Sequence, residues 1–338
     1  MKWLTFLFLL ITTTVLAQEK TDYNRIIDTL VDKTIDYYIF PEKAEFIKTK
    51  LSNVSKNNPF INLSKSQFAD TITTILRKES KDKHFTLLYR PNFLRNTETK
   101  KDQQKKFNEI NRRWNFGFDL VERLSGNIGY INYSGFAESN SSKATLAAAM
   151  NFLANTNSLI LDLRNNRGGD GPMMLLFCSY FFEHQLALSK TYYRHNNKTV
   201  TNKTRSKVTG EKYLDKPIYV LTSKNTFSAA EALSYNLQQK GIATIIGEKT
   251  AGAANPVEMW VINNDFLFFI PVGNETNLIS NTNWEHTGVQ PSYNISHDKA
   301  LEKAQIVALE YILKQQIITE LSKEEIEKRI IDLSEKIE

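Results

Sequence analysis

The chain has 338 residues, with 43 lysines and arginines against 37 aspartates and glutamates, a formal net charge of +6 and 41% hydrophobic residues. That length and apolar share support a large core, and the charge is too modest for the size to mark a dedicated nucleic-acid binder. A lone cysteine, Cys178, excludes an internal disulfide framework, and its apolar helical surroundings predict burial rather than reactivity.

Residues 1–17 predict an export signal. Lys2 gives a positive end, Trp3 to Leu10 is almost wholly apolar, and Val15-Leu16-Ala17 offers a cleavage site that would leave Gln18 first. The apolar stretch is short for a membrane span, so a periplasmic or extracellular protein without a stable span is expected after signal removal. Residues 18–90 predict a small helical domain in three pieces. Ile27, Val31 and Ile35 recur at helical spacing with Leu30 and Tyr38 on the same side, Phe40-Pro41 breaks the pattern, and a second helix covers Glu42 to Leu51. Ser64 then caps a third helix with Phe68, Ile72 and Ile75 inward. Residues 91–113 are polar, and their lysines and arginines are diluted by Glu98, Asp102 and Glu109, which reads as a charged linker.

From residue 114 the period changes. Strands are predicted over 127–133, 158–163, 217–222 and 242–246, with helices over 144–153, 173–182 and from Ser228 through Leu237. Trp260 to Ile270 reads as two strands around the turn Asn263-Asn264-Asp265. A helix from Asp298 to about Leu313 follows, and 319–338 holds a charged amphipathic helix suited to docking on the body or to association. Strand–helix alternation of this kind predicts an α/β domain over 114–318 with crossover connections.

Two segments are suited to chemistry. Thr226-Phe227-Ser228-Ala229-Ala230-Glu231 lies where a strand hands over to a helix, so the Ser228 hydroxyl would project from a turn beside the first free helical N–H groups. Asp162-Leu163-Arg164-Asn165-Asn166-Arg167-Gly168-Gly169 leaves the end of another strand, and its paired glycines allow a close backbone approach. One glycine N–H and the Ala229 N–H are therefore candidates for an oxyanion hole. A serine nucleophile needs a base. His184, His195 and His297 sit in surface or capping contexts, while His84 and His286 remain open on the residues alone. No ligand spacing suggests a metal, and no glycine pattern suggests a phosphate or dinucleotide cofactor.

Taken in order, Asp82-Lys83-His84-Phe85, the 161–169 segment, Leu221 to Glu231, Ile246 to Gly252 and Asn283-Trp284-Glu285 through Pro291 resemble the S41 serine peptidases. The resemblance is to the branch of interphotoreceptor retinoid-binding protein and the tricorn core, and runs from about residue 22 to 315. The other branch carries a serine–lysine dyad, but the position 25 residues after Ser228 is Ala253, and no PDZ module is visible. The resemblance implies an α/β fold with a crotonase/ClpP-like spiral core behind a small N-terminal helical domain. It implies Ser228 as nucleophile, His84 as general base, Glu285 as the acid that orients the network, and Gly169 with Ala229 as oxyanion donors. Lys83 departs from the small residue often found there. Phe85, Phe227 and Trp284 are candidates for an apolar substrate pocket, with core packing as the alternative for each.

The expected function is that of an exported serine peptidase acting on polypeptides through an acyl-enzyme, with no metal, cofactor or nucleic-acid partner. Two alternatives share the scaffold: a non-catalytic binder of hydrophobic molecules or peptides, and an esterase or thioesterase. Retention of Ser228, His84 and Glu285 together favours the enzyme.

Overall fold

The computed structural model describes residues 22–56, 60–93 and 108–338. The expected signal (1–17) and most of the expected linker (94–107) lie outside the described residues. Helix α1 (Tyr23–Tyr37) starts at Asp22, whose carboxylate accepts the Arg25 N–H at 3.2 Å, and buries Ile27, Leu30 and Val31. Pro41 opens α2 (Pro41–Ser55), where a missing N–H costs nothing. Ser64 and Gln67 cap α3 (Lys65–Ser80) reciprocally: Gln67 N–H donates to Ser64 Oγ and Ser64 N–H to Gln67 Oε1. The helix ends on Lys81 in the left-handed region (φ 63°), and the chain turns through Asp82 and His84 into β1 (Thr86–Tyr89).

These helices do not close a core by themselves. Leu30, Phe68, Ile72 and Leu76 pack with Phe266, Phe268, Ile270 and Val272 from the far end of the sequence. The link is a three-stranded antiparallel sheet, β1–β10–β9, in which β10 (Phe266–Pro271) pairs with both β1 and β9 (Val257–Val261). The helical segment is thereby tied to the body on which residues 251–255 lie.

The body is built on a six-stranded sheet of order β12–β8–β7–β4–β3–β2. After a helical stretch α4 over 108–113, β2 (Phe118–Leu124) pairs antiparallel with β3 (Ile128–Tyr133). Strands β3, β4 (Ser158–Asp162), β7 (Ile218–Thr222), β8 (Ala243–Gly247) and β12 (Tyr293–Asn294) run parallel. Every residue of β4 and β7 is buried, as expected for parallel strands covered on both faces. Period-two alternation divides them between two cores. Leu159, Leu161, Ile218 and Val220 face α5 (Ser139–Leu153), α6 (Gly171–Cys178) and α7 (Ala229–Gln239), where Cys178 is enclosed. Ile160, Tyr219 and Leu221 face α8 (Ala300–Gln315) and α9 (Lys323–Ile337). Helix α9 thus docks on its own chain through Ile326 and Leu333. A further antiparallel sheet, β11–β5–β6, joins Gly273–Asn277, Ala187–Tyr193 and Lys198–Lys203. No helix among the described residues is long and apolar enough to cross a membrane.

Candidate active site

The carboxyl ends of β4 and β7 lie side by side and deliver the two predicted segments to one place. Ser228 is the N-cap of α7 and stands at φ 54°, ψ −118°, a sparsely populated conformation for a residue with a Cβ. Glu231 holds it there. Its fully buried carboxylate accepts the Ser228 N–H at 2.9 Å, and also Thr250 Oγ1 at 2.6 Å and the Gly252 and Ala253 N–H groups at 2.6 and 3.0 Å. Burial pushes the Glu231 carboxyl up to about 7, opposed by these four donors.

The glycine turn closes over the serine. Buried Asn166 ties it down: its side-chain oxygen accepts the Gly168 N–H at 2.8 Å, its amide donates to Tyr133 O at 2.9 Å, and its carbonyl accepts Phe227 N–H. Gly168 (φ 88°) passes so close that a Cβ there would lie 2.8 Å from Ser228 Cβ and 3.0 Å from Ala229 N. The Gly168 N–H is spent on Asn166. Among the described residues no acceptor takes the N–H of Gly169 or of Ala229, the first residue of α7.

His84 reaches the serine from the opposite side. Its Nε2 lies 3.1 Å from Ser228 Oγ, and its ring tilts over half-buried Phe227 at 4.7 Å between centroids. Burial, with Arg77 adding, pushes the imidazole down to about 3, which favours the neutral base at ordinary pH. Nδ1 is enclosed without a hydrogen-bond partner, and the nearest acidic oxygen is Asp82 Oδ1 at 3.8 Å. Asp82 Oδ1 also accepts the His84 backbone N–H at 3.0 Å, and Asp82 Oδ2 accepts Asn255 Nδ2 at 2.8 Å.

Glu285 stands in the same group. One carboxylate oxygen accepts the backbone N–H groups of Ala254 and Asn255, while Oε1 lies 3.5 Å from His286 Nδ1. Asp82, His84 and Glu285 present side-chain atoms within 4.8 Å of one another, the one such cluster of potential metal ligands among the described residues. Burial, then Glu285, raises the Asp82 pKa, and burial raises Glu285. His286, which the sequence left open as a base, is half exposed on the far side of Glu285. Lys83 points along the rim and donates to Ala251 O.

The structure therefore brings Ser228, His84, Glu285, Ala229 and the 168–169 turn together. Two of the expected pocket residues are elsewhere in function. Phe85 is fully enclosed with Tyr38 and Phe268 in the helical core, and Trp284 is buried against Tyr235 with Nε1 donating to Ala253 O. Neither offers a face to a substrate, which corrects that expectation for both. On the sequence Asn166 is a candidate, with Asp162, for stabilising a tight turn, whereas Asp82, Glu231 and Asn255 have no assigned role there. Glu231 had a legible signal, the Ser-x-x-Glu capping box. Asp82 had only the weak one of a lone acid among lysines.

A serine on a strained strand-to-helix turn, a neutral histidine within reach of its hydroxyl, and free backbone N–H groups at the glycine turn and at the helix start define the acyl-transfer hydrolase class of site. Residues 127–295, half of the chain, match the model of "Peptidase family S41". The chain belongs to that family, and Ser228 and Glu285 fall inside the matched span while His84 precedes it. The carboxy-terminal processing protease CtpA of Bacillus subtilis is 29% identical over 131 residues, 39% of this chain and 27% of the relative. The carboxyl-terminal-processing protease of Synechocystis is 32% identical over 130 residues, 38% of this chain and 29% of the relative. The matched stretch thus spans less than a third of the length of these curated relatives. In fold, the chain resembles a candidate peptidase from Parabacteroides merdae at TM-score 0.58 and 17% identity, covering 85% of this chain and 96% of that one. It also resembles the photosystem II D1 C-terminal processing protease at TM-score 0.52 and 13% identity, covering 82% and 94%. The α/β architecture is shared with both.

Proposed function

We propose that this protein is a serine peptidase that hydrolyses peptide bonds through an acyl-enzyme on Ser228, and that it works outside the cytoplasm. The observation that carries the first part is the 3.1 Å approach of His84 Nε2 to the Oγ of a conformationally strained Ser228. Support for the second part is the charge and hydropathy pattern of residues 2–17.

In this reading His84 takes the Ser228 proton as Oγ attacks the substrate carbonyl carbon, and the C–O bond forms as the carbonyl π pair moves to oxygen. That oxyanion is met by the N–H groups of Gly169 and Ala229, an interaction of which each donor commonly contributes about 3 kcal/mol. The intermediate collapses, the C–N bond breaks, and protonated His84 gives its proton to the leaving amine. Water, deprotonated by His84, repeats the sequence on the ester and frees the acid. Glu285 orients the network from beyond Nδ1. Of the expected pocket residues Phe227 remains, half-buried beside His84, as an apolar wall for the substrate. Membership of the S41 family and the processing-protease relatives support a polypeptide substrate.

The test is turnover of a peptide library and of matched ester and amide substrates by wild type, Ser228→Ala and His84→Ala. Amide turnover that disappears in both variants, with unchanged melting temperature, is expected. Ester-only turnover, or equal turnover by Ser228→Ala, would overturn the reading.

A further inference from the structure

The environment of His84 Nδ1 holds one carboxylate more than a serine–histidine–acid arrangement requires. When Nε2 accepts the Ser228 proton, the ring's own proton sits on Nδ1, and that atom is buried with no hydrogen-bond partner. Asp82 is 1% exposed, and its Oδ1 is 3.8 Å away. The same oxygen already fixes the His84 backbone through its N–H. Glu285 brings a second carboxylate to within 4.8 Å of both, and its Oε1 is likewise enclosed and without a hydrogen bond, 3.5 Å from His286 Nδ1. Asn255 spans the two acids, donating Nδ2 to Asp82 and its backbone N–H to Glu285.

Two carboxylates in one buried site resist being ionised together, because each charge disfavours the other and burial disfavours both. Resting on the peptidase reading above, we propose that Asp82 is a positioning residue for His84. It shares with Glu285 one proton and thus one negative charge, which balances the imidazolium formed when Ser228 loses its proton. Asp82 fixes the histidine by its backbone and faces Nδ1. Glu285, anchored to the 254–255 backbone, completes the pair. The other ionisable groups facing this cluster are Arg77 and Tyr38 from the helical segment, Lys43 from α2, Lys83 beside His84, Glu231 from α7, and His286 beside Glu285.

Sharing makes a non-additive pattern. If either acid is neutralised, the other keeps the charge; if both are, the imidazolium stands alone. The experiment compares wild type, Asp82→Asn, Glu285→Gln and the double variant, reading the second-order rate of labelling by a fluorophosphonate probe from pH 4 to 9. Each single variant is expected to lose about 10-fold, and the double variant well beyond their product of about 10²-fold, on the order of 10³–10⁴-fold. Wild type should show an inflection near neutral pH, where the pair gives up its shared proton, and neither single variant should, because a lone carboxyl loses its proton at lower pH. A merely structural Asp82 would leave the profile of Asp82→Asn like that of wild type. A double variant equal to Glu285→Gln alone in rate and pH profile overturns the proposal. Should Asp82→Asn lose its melting transition, Asn255→Ser decides, because it releases Asp82 without touching His84. A reduced rate with the inflection moved to higher pH, as the Asp82 anion loses its Asn255 donor, supports the inference, and an unchanged profile overturns it. Wild type that takes no label at any pH defeats the peptidase reading itself, an outcome distinct from labelled wild type with additive variants.

Discussion

Glu231 shows how much of this site is made by a residue that never meets the substrate. It accepts four hydrogen bonds while fully buried, and three of them come from backbone N–H groups that no other side chain could satisfy. One of these fixes Ser228 in its strained conformation, and two fix the 252–253 backbone that leads to Glu285's anchor. Glu231→Ala would leave four buried donors unpaired at about 1–3 kcal/mol each, so a loss on the order of 4 kcal/mol is expected even after partial relaxation. Urea unfolding measures it. A loss under about 1 kcal/mol would mean that water or a shifted backbone replaces the carboxylate. Glu231→Gln, which accepts with one oxygen only, should fall between the two.

At the scale of elements, the site depends on a turn meeting a helix start. Asn166 pins the glycine turn, and Gly168 at φ 88° lets it pass within contact distance of Ser228 and Ala229. Gly168→Ala puts a Cβ where both the backbone torsion and the space forbid it, so the turn must withdraw. The expected result is a fluorophosphonate labelling rate lowered by 10-fold or more with a destabilisation of about 1–3 kcal/mol; wild-type labelling would show that the turn does not shape the reactive centre. This junction was legible in the sequence because it is local: β4, β7, the start of α7 and the paired glycines each announce themselves within a few residues. The helices α1 and α3 were legible for the same reason, through their apolar spacing and, for α3, the Ser64 cap. Strands β1, β5, β6 and β11 were not. Their side chains alternate only weakly, and what fixes them is pairing across long separations, such as Thr86 with Phe269. The same blindness left pocket and core open for Phe85 and Trp284, whose neighbours Phe268 and Tyr235 are distant in sequence. It hid Asp82 as well, since its partner Asn255 lies 173 residues away.

Across the whole molecule, the base and the nucleophile stand on different cores. His84 leaves α3, which packs with β10, whereas Ser228 begins α7 on the central sheet. Assembly of the pair therefore requires the helical segment to be seated on the body, and global stability and reactivity should fall together. Stability itself carries a pH signature. Burial pushes Glu275, in β11, up to about 7, against a single opposing bond from Ser189 Oγ at 2.6 Å. The ordinary glutamate value is about 4.3, so between that pH and about 7 the folded chain keeps a proton that the unfolded chain releases. This contribution is complete at lower pH and is lost as pH rises through 7. Glu275→Gln keeps a neutral side chain throughout, so it should gain on wild type by on the order of 2–3 kcal/mol between pH 5 and 8; parallel melting-temperature profiles would contradict this. Reactivity itself rests on Ser228 and His84 as a working nucleophile and base. It is tested most directly by intact-mass measurement after fluorophosphonate treatment of the protein, with Ser228→Ala and His84→Ala alongside. One adduct is expected on wild type, none on Ser228→Ala, and slow or absent labelling of His84→Ala. An unlabelled but folded wild type, or an adduct that survives Ser228→Ala, would contradict it.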